Sequence, residues 1–146
     1  MPVSSFIESD LSLLYVMVVG YCTIPELLEH EKMVSRDPAR RPNMKIVFDI
    51  FNADLDVDLN GIKAGVAYIH TVGRSGWELE PTAILTHNRV LETLNQSFEL
   101  MAHEVVVRNK VFCSLTEALT WLGLSDHRRR EEEIRAQLLR EFTLAA

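Results

Sequence analysis

One apolar run constrains the fold of this chain more than any other feature. Residues 45–51 read KIVFDIF, a run in which neighbouring positions, not alternate ones, are apolar. A strand with this pattern is buried on both faces, as is typical of the centre of a parallel sheet covered by helices. Residues 52–61 then carry several Asn and Asp side chains and end at Gly61. The pattern predicts a central strand followed by an acidic loop and a helix start.

The rest of the chain alternates between strand and helix patterns. Residues 3–8 and 11–21 predict a hairpin, and Thr23 with Glu26 predicts a capping box for a helix that ends near Val34. Further strands are predicted at 82–86 and within 104–113, and further helices from Asp58 to Gly73 or Gly76, from about 90 to 101 and from 115 to about 122. This order predicts an α/β fold with a mixed, mostly parallel sheet of about five strands and about four helices.

Composition narrows the classes of function. The chain has 146 residues, which fits one domain, and a net charge of -6 with a pI near 5.3. There is no basic footprint for nucleic acid or anionic lipid. The N-terminus has no basic region, and the apolar run from Leu11 to Val19 is too short to cross a bilayer. We therefore expect a cytoplasmic protein without membrane insertion.

The C-terminal residues 125–146 predict a helical tail that follows a domain of residues 1–124. Glu131 and Arg135 have the spacing and order of a favourable helical ion pair. Three arginines at positions 128–130 oppose the helix dipole, which favours pairing with acids on the domain or on a second subunit. The tail also carries a narrow apolar stripe of Ile134, Leu138, Leu139 and Phe142. The stripe either packs on its own domain or forms a dimerisation arm.

The cysteine and tryptophan residues allow predictions about the burial or role of single side chains. Cys22 and Cys113 are far apart and outside any CxxC motif, so we expect two buried free thiols. Trp121 is expected in the core, and Trp77 either covers a pocket or anchors a subunit contact.

The segment from Asp56 to Gly61 matches the start of a calcium-binding loop, D-x-D-x-N-G. The twelfth position, where a bidentate Glu should close the ligand shell, is Ala67. No metal site is therefore predicted. We interpret Asp58 as a helix cap and Asp54 and Asp56 as surface acids.

His87 follows a predicted strand at its carboxyl end, where open α/β sheets bind ligands. Asp49, Asn52, Thr86 and Asn88 are the residues expected to line the same crevice. The sequence shows no nucleophile elbow, paired base or Gly-rich phosphate loop, so no catalytic residue is predicted.

Three spaced motifs over residues 3–124 resemble a known family. They are Gly20-Tyr21-Cys22-Thr23-x-x-Glu26, Asp37-Pro38-x-x-Arg41-Pro42-x-Met44-Lys45-x-Val47-x-Asp49, and Val111-Phe112-x-x-Leu115-x-Glu117-Ala118-Leu119-x-Trp121-Leu122. Together they resemble the uncharacterised bacterial STAS-like proteins, which are related in fold to anti-sigma-factor antagonists. The resemblance implies a mixed sheet with helices and no cofactor.

In the antagonists, a serine at the start of the second helix is phosphorylated within the motif Asp-Ser-Ser-Gly. The resemblance aligns that motif with Asp58-Leu59-Asn60-Gly61, where Leu59 and Asn60 have no hydroxyl group. It therefore implies that this chain lacks the phosphorylation switch.

Two hypotheses of function follow. The first is a non-enzymatic domain that binds another protein, a second copy of itself or both. Its candidate contact residues are Asn52, Asp54, Asp56, Asp58, Asn60, Gly61, Trp77 and His87. The second is a protein that binds a small apolar ligand or lipid between the sheet and the helices at 62–69 and 90–101.

Overall fold

A computed structural model describes residues 2–41, 43–56, 81–87 and 109–145. The strands are β1 (Val3–Glu8), β2 (Leu13–Thr23), β3 (Lys45–Asp56), β4 (Thr82–Leu85) and β5 (Asn109–Phe112). The α-helices within these ranges are α1 (Ile24–Ser35), α2 (Leu115–Trp121) and α3 (Arg128–Ala145). Short 3-10 turns at Ser9–Leu11 and Ser125–His127 precede β2 and α3.

The strands form one sheet in the order β1-β2-β3-β4-β5. β1 pairs antiparallel with β2, and every other pair is parallel. The predicted mixed, mostly parallel five-stranded sheet is therefore confirmed. The helices predicted from Asp58 and over 90–101 lie outside the described residues. In the ranges that the structure covers, no helix is both long and apolar enough to span a membrane.

Two apolar layers explain the uninterrupted hydrophobic runs of the central strands. Successive side chains of a strand point to opposite faces, so a strand covered on both faces is apolar throughout. α1 covers the face that carries Leu14, Val16, Val18 and Ile50. α2 and α3 cover the opposite face, which carries Leu13, Tyr15, Met17, Val47 and Leu85.

Local signals in the sequence set the element ends as predicted. At α1, Thr23 Oγ1 accepts a hydrogen bond from Glu26 N, and the Glu26 side chain accepts one from Thr23 N. At α2, Ser114 Oγ accepts a hydrogen bond from Glu117 N at 3.2 Å. α2 is followed by Gly123 at φ 74°, a left-handed conformation that favours glycine at helix ends. The two helix starts therefore follow directly from their capping residues.

β3 extends further than the sequence predicts. Residues 52–56 are not a loop but the end of this strand, paired with residues 19–23 of β2. The physical reason is that Ala53 and Leu55 pack against the α1-side core while the residues between them face solvent. The alternation of Asp with apolar residues is therefore the two-residue period of a strand with one buried face.

α3 packs on its own chain. Ile134 and Leu138 are buried in the core, and Leu139 and Phe142 pack partly against it. The apolar stripe is thus used within the chain, which removes the reason for assigning it to a dimerisation arm.

Two expectations about single residues are wrong. Trp121 is exposed, with its ring against Phe112, because it is the last residue of α2 and lies at the edge of the packed face. Cys113 is also exposed, because it follows the edge strand β5. Cys22 is buried as predicted, and burial raises the pKa of its thiol to about 11, with a smaller contribution from Glu26.

Two leucines of α3 test this packing. Leu138 is 4% exposed and Leu144 is 86% exposed. We expect Leu138→Ala to lower the free energy of unfolding by about 3 kcal/mol, because it removes buried apolar atoms and leaves a cavity. Leu144→Ala should change it by less than about 0.5 kcal/mol. Urea unfolding of both variants measures the difference, and equal losses would contradict the packing of α3 on the sheet.

Candidate functional site

A buried carboxylate lies at the centre of the sheet. Asp49 of β3 is fully buried, on the face covered by α3. Its Oδ2 accepts hydrogen bonds from Tyr15 Oη at 2.7 Å and from Arg135 Nε at 2.8 Å. Its Oδ1 accepts one from the backbone N–H of Phe51 at 3.2 Å. These residues join β2, β3 and α3 through one acidic side chain.

This arrangement gives both oxygens of Asp49 hydrogen-bond donors. A buried carboxylate is costly unless a cation and hydrogen-bond donors compensate it, and here both are present. Burial raises the pKa of the Tyr15 phenol far above its ordinary value, and the neighbouring Asp49 raises it further. Tyr15 therefore keeps its proton and acts as a donor. With three donors on its two oxygens, Asp49 is suited to holding α3 in place more than to acting as a general base.

Aromatic contacts link this buried cluster to the surface. The guanidinium carbon of Arg135 lies 5.3 Å from the centre of the Phe51 ring, a cation–π distance. The Phe51 ring in turn meets the His87 ring edge-on, with the ring centres 4.9 Å apart. His87 itself is exposed. Asp49 and His87 are thus connected through the contacts of Arg135 and Phe51.

A bulge in β3 sets the direction of the side chains beyond Phe51. Met17 pairs with Asp49 and Val19 pairs with Asn52, so β3 has one more residue than β2 between these pairs. One extra residue reverses which side chains face each layer. Ala53 and Leu55 therefore face the α1 side, and the polar residues between them face the other side.

The exposed side of this strand end carries the acidic residues predicted from the sequence. Asn52, Asp54 and Asp56 are exposed at alternate positions. Tyr21 of β2 is 60% exposed, pairs with Asp54 in the sheet and donates a hydrogen bond to Asp56 Oδ2 at 2.8 Å. That hydrogen bond is the main reason that the pKa of Tyr21 is raised. We call Tyr21, Asn52, Asp54 and Asp56 the acidic face.

The structure therefore brings together three of the predicted contact residues in one row. His87 lies close to Phe51, the residue that precedes this row. Asp58, Asn60, Gly61 and Trp77 lie outside the described residues, as does the pocket predicted beside 62–69 and 90–101. Across the described ranges, no three His, Cys, Asp or Glu side chains are grouped to hold a metal ion.

The pairing predicted for the start of α3 is partly wrong. Arg135 bonds to Asp49 instead of Glu131, because the side of α3 that carries both residues faces the sheet. Of the three arginines, Arg130 reaches an acid elsewhere on the chain, Glu8 of β1, at 2.6 Å. Arg128 and Arg129 pair with glutamates one turn later in the same helix.

Sequence reasoning missed the roles of Tyr15, Arg135 and Glu8. One signal was available for the first two, because the acid inside the apolar run KIVFDIF must be compensated by a cation or donors from elsewhere. Nothing local identifies Arg135 as that cation, since it lies 86 residues from Asp49.

Comparison with solved structures identifies the fold. The chain is similar to an uncharacterized protein of the DUF3478 family from Shewanella loihica PV-4, which has a SpoIIAA-like fold. The TM-score is 0.57 at 17% sequence identity, and the match covers 82% of this chain and 93% of the other. The chain has a STAS-like fold. Neither protein-family models nor curated protein sequences match the STAS-like chain.

Arg135 provides a test of the buried cluster in this STAS-like domain. We expect Arg135→Met to lower the free energy of unfolding by about 3 kcal/mol, because it leaves the Asp49 carboxylate buried without its cation. Arg140→Met, at an exposed position of the same helix, should cost less than about 0.5 kcal/mol.

The double variant Asp49→Asn with Arg135→Met completes a mutant cycle. It should lose less stability than the sum of the single variants, because the two residues interact directly. Urea unfolding measures all four proteins, and additive losses would show that the ion pair does not hold α3.

Proposed function

We propose that this STAS-like domain functions without enzymatic activity by binding another protein through the acidic face. The main observation that supports the proposal is the bulge in β3. It turns Asn52, Asp54 and Asp56 to one side of the strand, where all three are exposed. Bulges commonly redirect side chains at functional surfaces. Tyr21 adds an exposed aromatic ring to the same surface, and tyrosine is enriched in protein interfaces.

The chemistry of the acidic face favours a cationic partner. Two aspartates lie two residues apart on one strand, in a chain of net charge -6. Lys or Arg side chains of a partner would complement these charges and accelerate the encounter. A second copy of the chain would bring like charges together at this surface. Because the α3 stripe is also used within the chain, a different protein is favoured over a homodimer.

The absence of catalysis in this proposal is supported by the surroundings of Asp49. This buried acid already accepts three hydrogen bonds, and the contacts that connect it to the imidazole run through Arg135 and Phe51. An acid and a base that work on one substrate need to reach the same reacting atoms. This geometry favours a structural role for Asp49 and leaves His87 as part of the contact surface.

A photo-crosslinking residue in place of Asn52 tests the proposal in the cells that make the protein. We expect a covalent adduct with a different protein that carries a basic surface. Asp54→Lys should remove the adduct because it reverses a charge on the acidic face. Asp126→Lys, an equal change of net charge at an exposed turn, should leave it unchanged.

The adducts are identified by mass spectrometry. A cross-link between two copies of the chain would replace the proposal by a homodimer. An adduct equally strong with Asp54→Lys would show that the acidic face does not select the partner. Native mass spectrometry showing a constant extra small mass and no protein adduct would favour the apolar-ligand hypothesis instead.

We further propose that binding is not switched by phosphorylation at 58–61. Leu59 and Asn60, which the resemblance aligns with the two serines of the antagonists, cannot accept a phosphate. Intact-mass and peptide mass spectrometry of protein from its own cells should show no phosphate on this segment. Phosphorylation of nearby Thr71 or Ser75 would contradict the absence of a switch in this part of the chain.

A further inference from the structure

The start of α3 rests on two buried acids. Glu8 at the end of β1 is 2% exposed, and Glu131 in the first turn of α3 is fully buried. Arg130, the residue before Glu131 in α3, pairs with Glu8, which puts the two acids at the same junction of α3 and β1. Within the described residues, their four oxygens receive no hydrogen bond from a nitrogen or hydroxyl donor. Two ionised carboxylates in such a place would repel each other without solvent to screen them.

The charged groups around the pair compensate one negative charge. Arg130 Nε lies 2.6 Å from Glu8 Oε1, close enough for an ion pair. β2 contributes Tyr15, a neutral phenol whose pKa Glu131 raises slightly. The Lys45 amino group on β3 lies against Gly123, and Arg135 is bonded to Asp49.

Among the described residues, the remaining neighbours make no ion pair with either acid, and Arg41 donates to the backbone oxygen of Ser9, next to Glu8. In the turn before α3, Asp126 is exposed and His127 is half-buried. α2 packs against this layer with the apolar side chains of Leu115, Ala118 and Leu119. Arg130 therefore balances one of the two carboxylates.

We propose that Glu8 and Glu131 share one proton, and that loss of this proton releases the start of α3 from β1. The proton lies between the two carboxyl groups, and Arg130 balances the single negative charge that the pair keeps. When the proton leaves to solvent, two carboxylates face each other beside a single arginine. Separating α3 from the sheet relieves that repulsion because it hydrates both groups. The acid pair thus acts as a pH-dependent clasp on the C-terminal helix.

The direction of the pH dependence follows from the folded and unfolded states. Burial, followed by the hydrogen bond and charge of Glu8, raises the pKa of Glu131 from 4.5 to about 8. The folded protein therefore holds a proton that the unfolded chain releases above about pH 4.5. Docking of α3 is strongest below that pH and weakens as the pH rises to about 8.

Amide hydrogen exchange of the whole chain, expressed as protection factors that correct for the intrinsic effect of pH, tests the clasp. Between pH 6 and pH 8 we expect protection at residues 131–138 to fall roughly ten- to fiftyfold more than protection in β2. Glu131→Gln keeps a donor for Glu8 but cannot ionise, so its protection should not show this fall. Glu132→Gln, at the exposed neighbouring position, should behave as the unchanged protein does.

A measurement on the unchanged protein keeps the test independent of whether the variants fold. Carboxyl-carbon chemical shifts of the glutamates should show one group that is still protonated near pH 7. If every glutamate titrates in the acidic range, or if Glu131→Gln loses protection with pH as the unchanged protein does, the shared proton is excluded.

Discussion

The structure depends on the compensation of Asp49, an acid placed in the middle of a doubly covered sheet. Two neighbouring strands and the C-terminal helix converge on its carboxylate through Tyr15, the Phe51 amide and Arg135. Removing one partner of such a buried pair costs far more than the pair contributes over an apolar replacement. The ion pair therefore fixes the position of α3 more than it adds stability, because only one placement of α3 on the sheet brings Arg135 to Asp49.

The same strand connects the buried cluster to the surface through its bulge. Before the bulge, Asp49 faces α3 and needs a cation from it. After the bulge, Asn52, Asp54 and Asp56 are exposed. In each region a tyrosine of β2 donates a hydrogen bond to an aspartate, Tyr15 to Asp49 and Tyr21 to Asp56. The polar residues of β3 thus make an internal contact before the bulge and form an exposed surface after it.

Patterns that depend on near neighbours in the chain could be predicted, and contacts between distant residues could not. The strand periods and the caps at Thr23 and Ser114 are visible locally, and the structure has them. The sequence places the end of β3 too early because Asn and Asp are common in loops, whereas the two-residue period there is that of a strand. The candidate site was predicted only in part: its acids are local, but the partnership of Arg135 with Asp49 depends on how α3 crosses the sheet.

Polar contacts along the underside of α3 explain why this helix has one position despite a narrow apolar stripe. Leu and Ile side chains alone would tolerate a shift of the helix along the sheet, because hydrophobic packing is not directional. A shift by one turn would separate Arg135 from Asp49 and Arg130 from Glu8 together, leaving buried acids without cations. The apolar stripe therefore drives α3 onto the sheet, and the acids beneath the helix select where it lies.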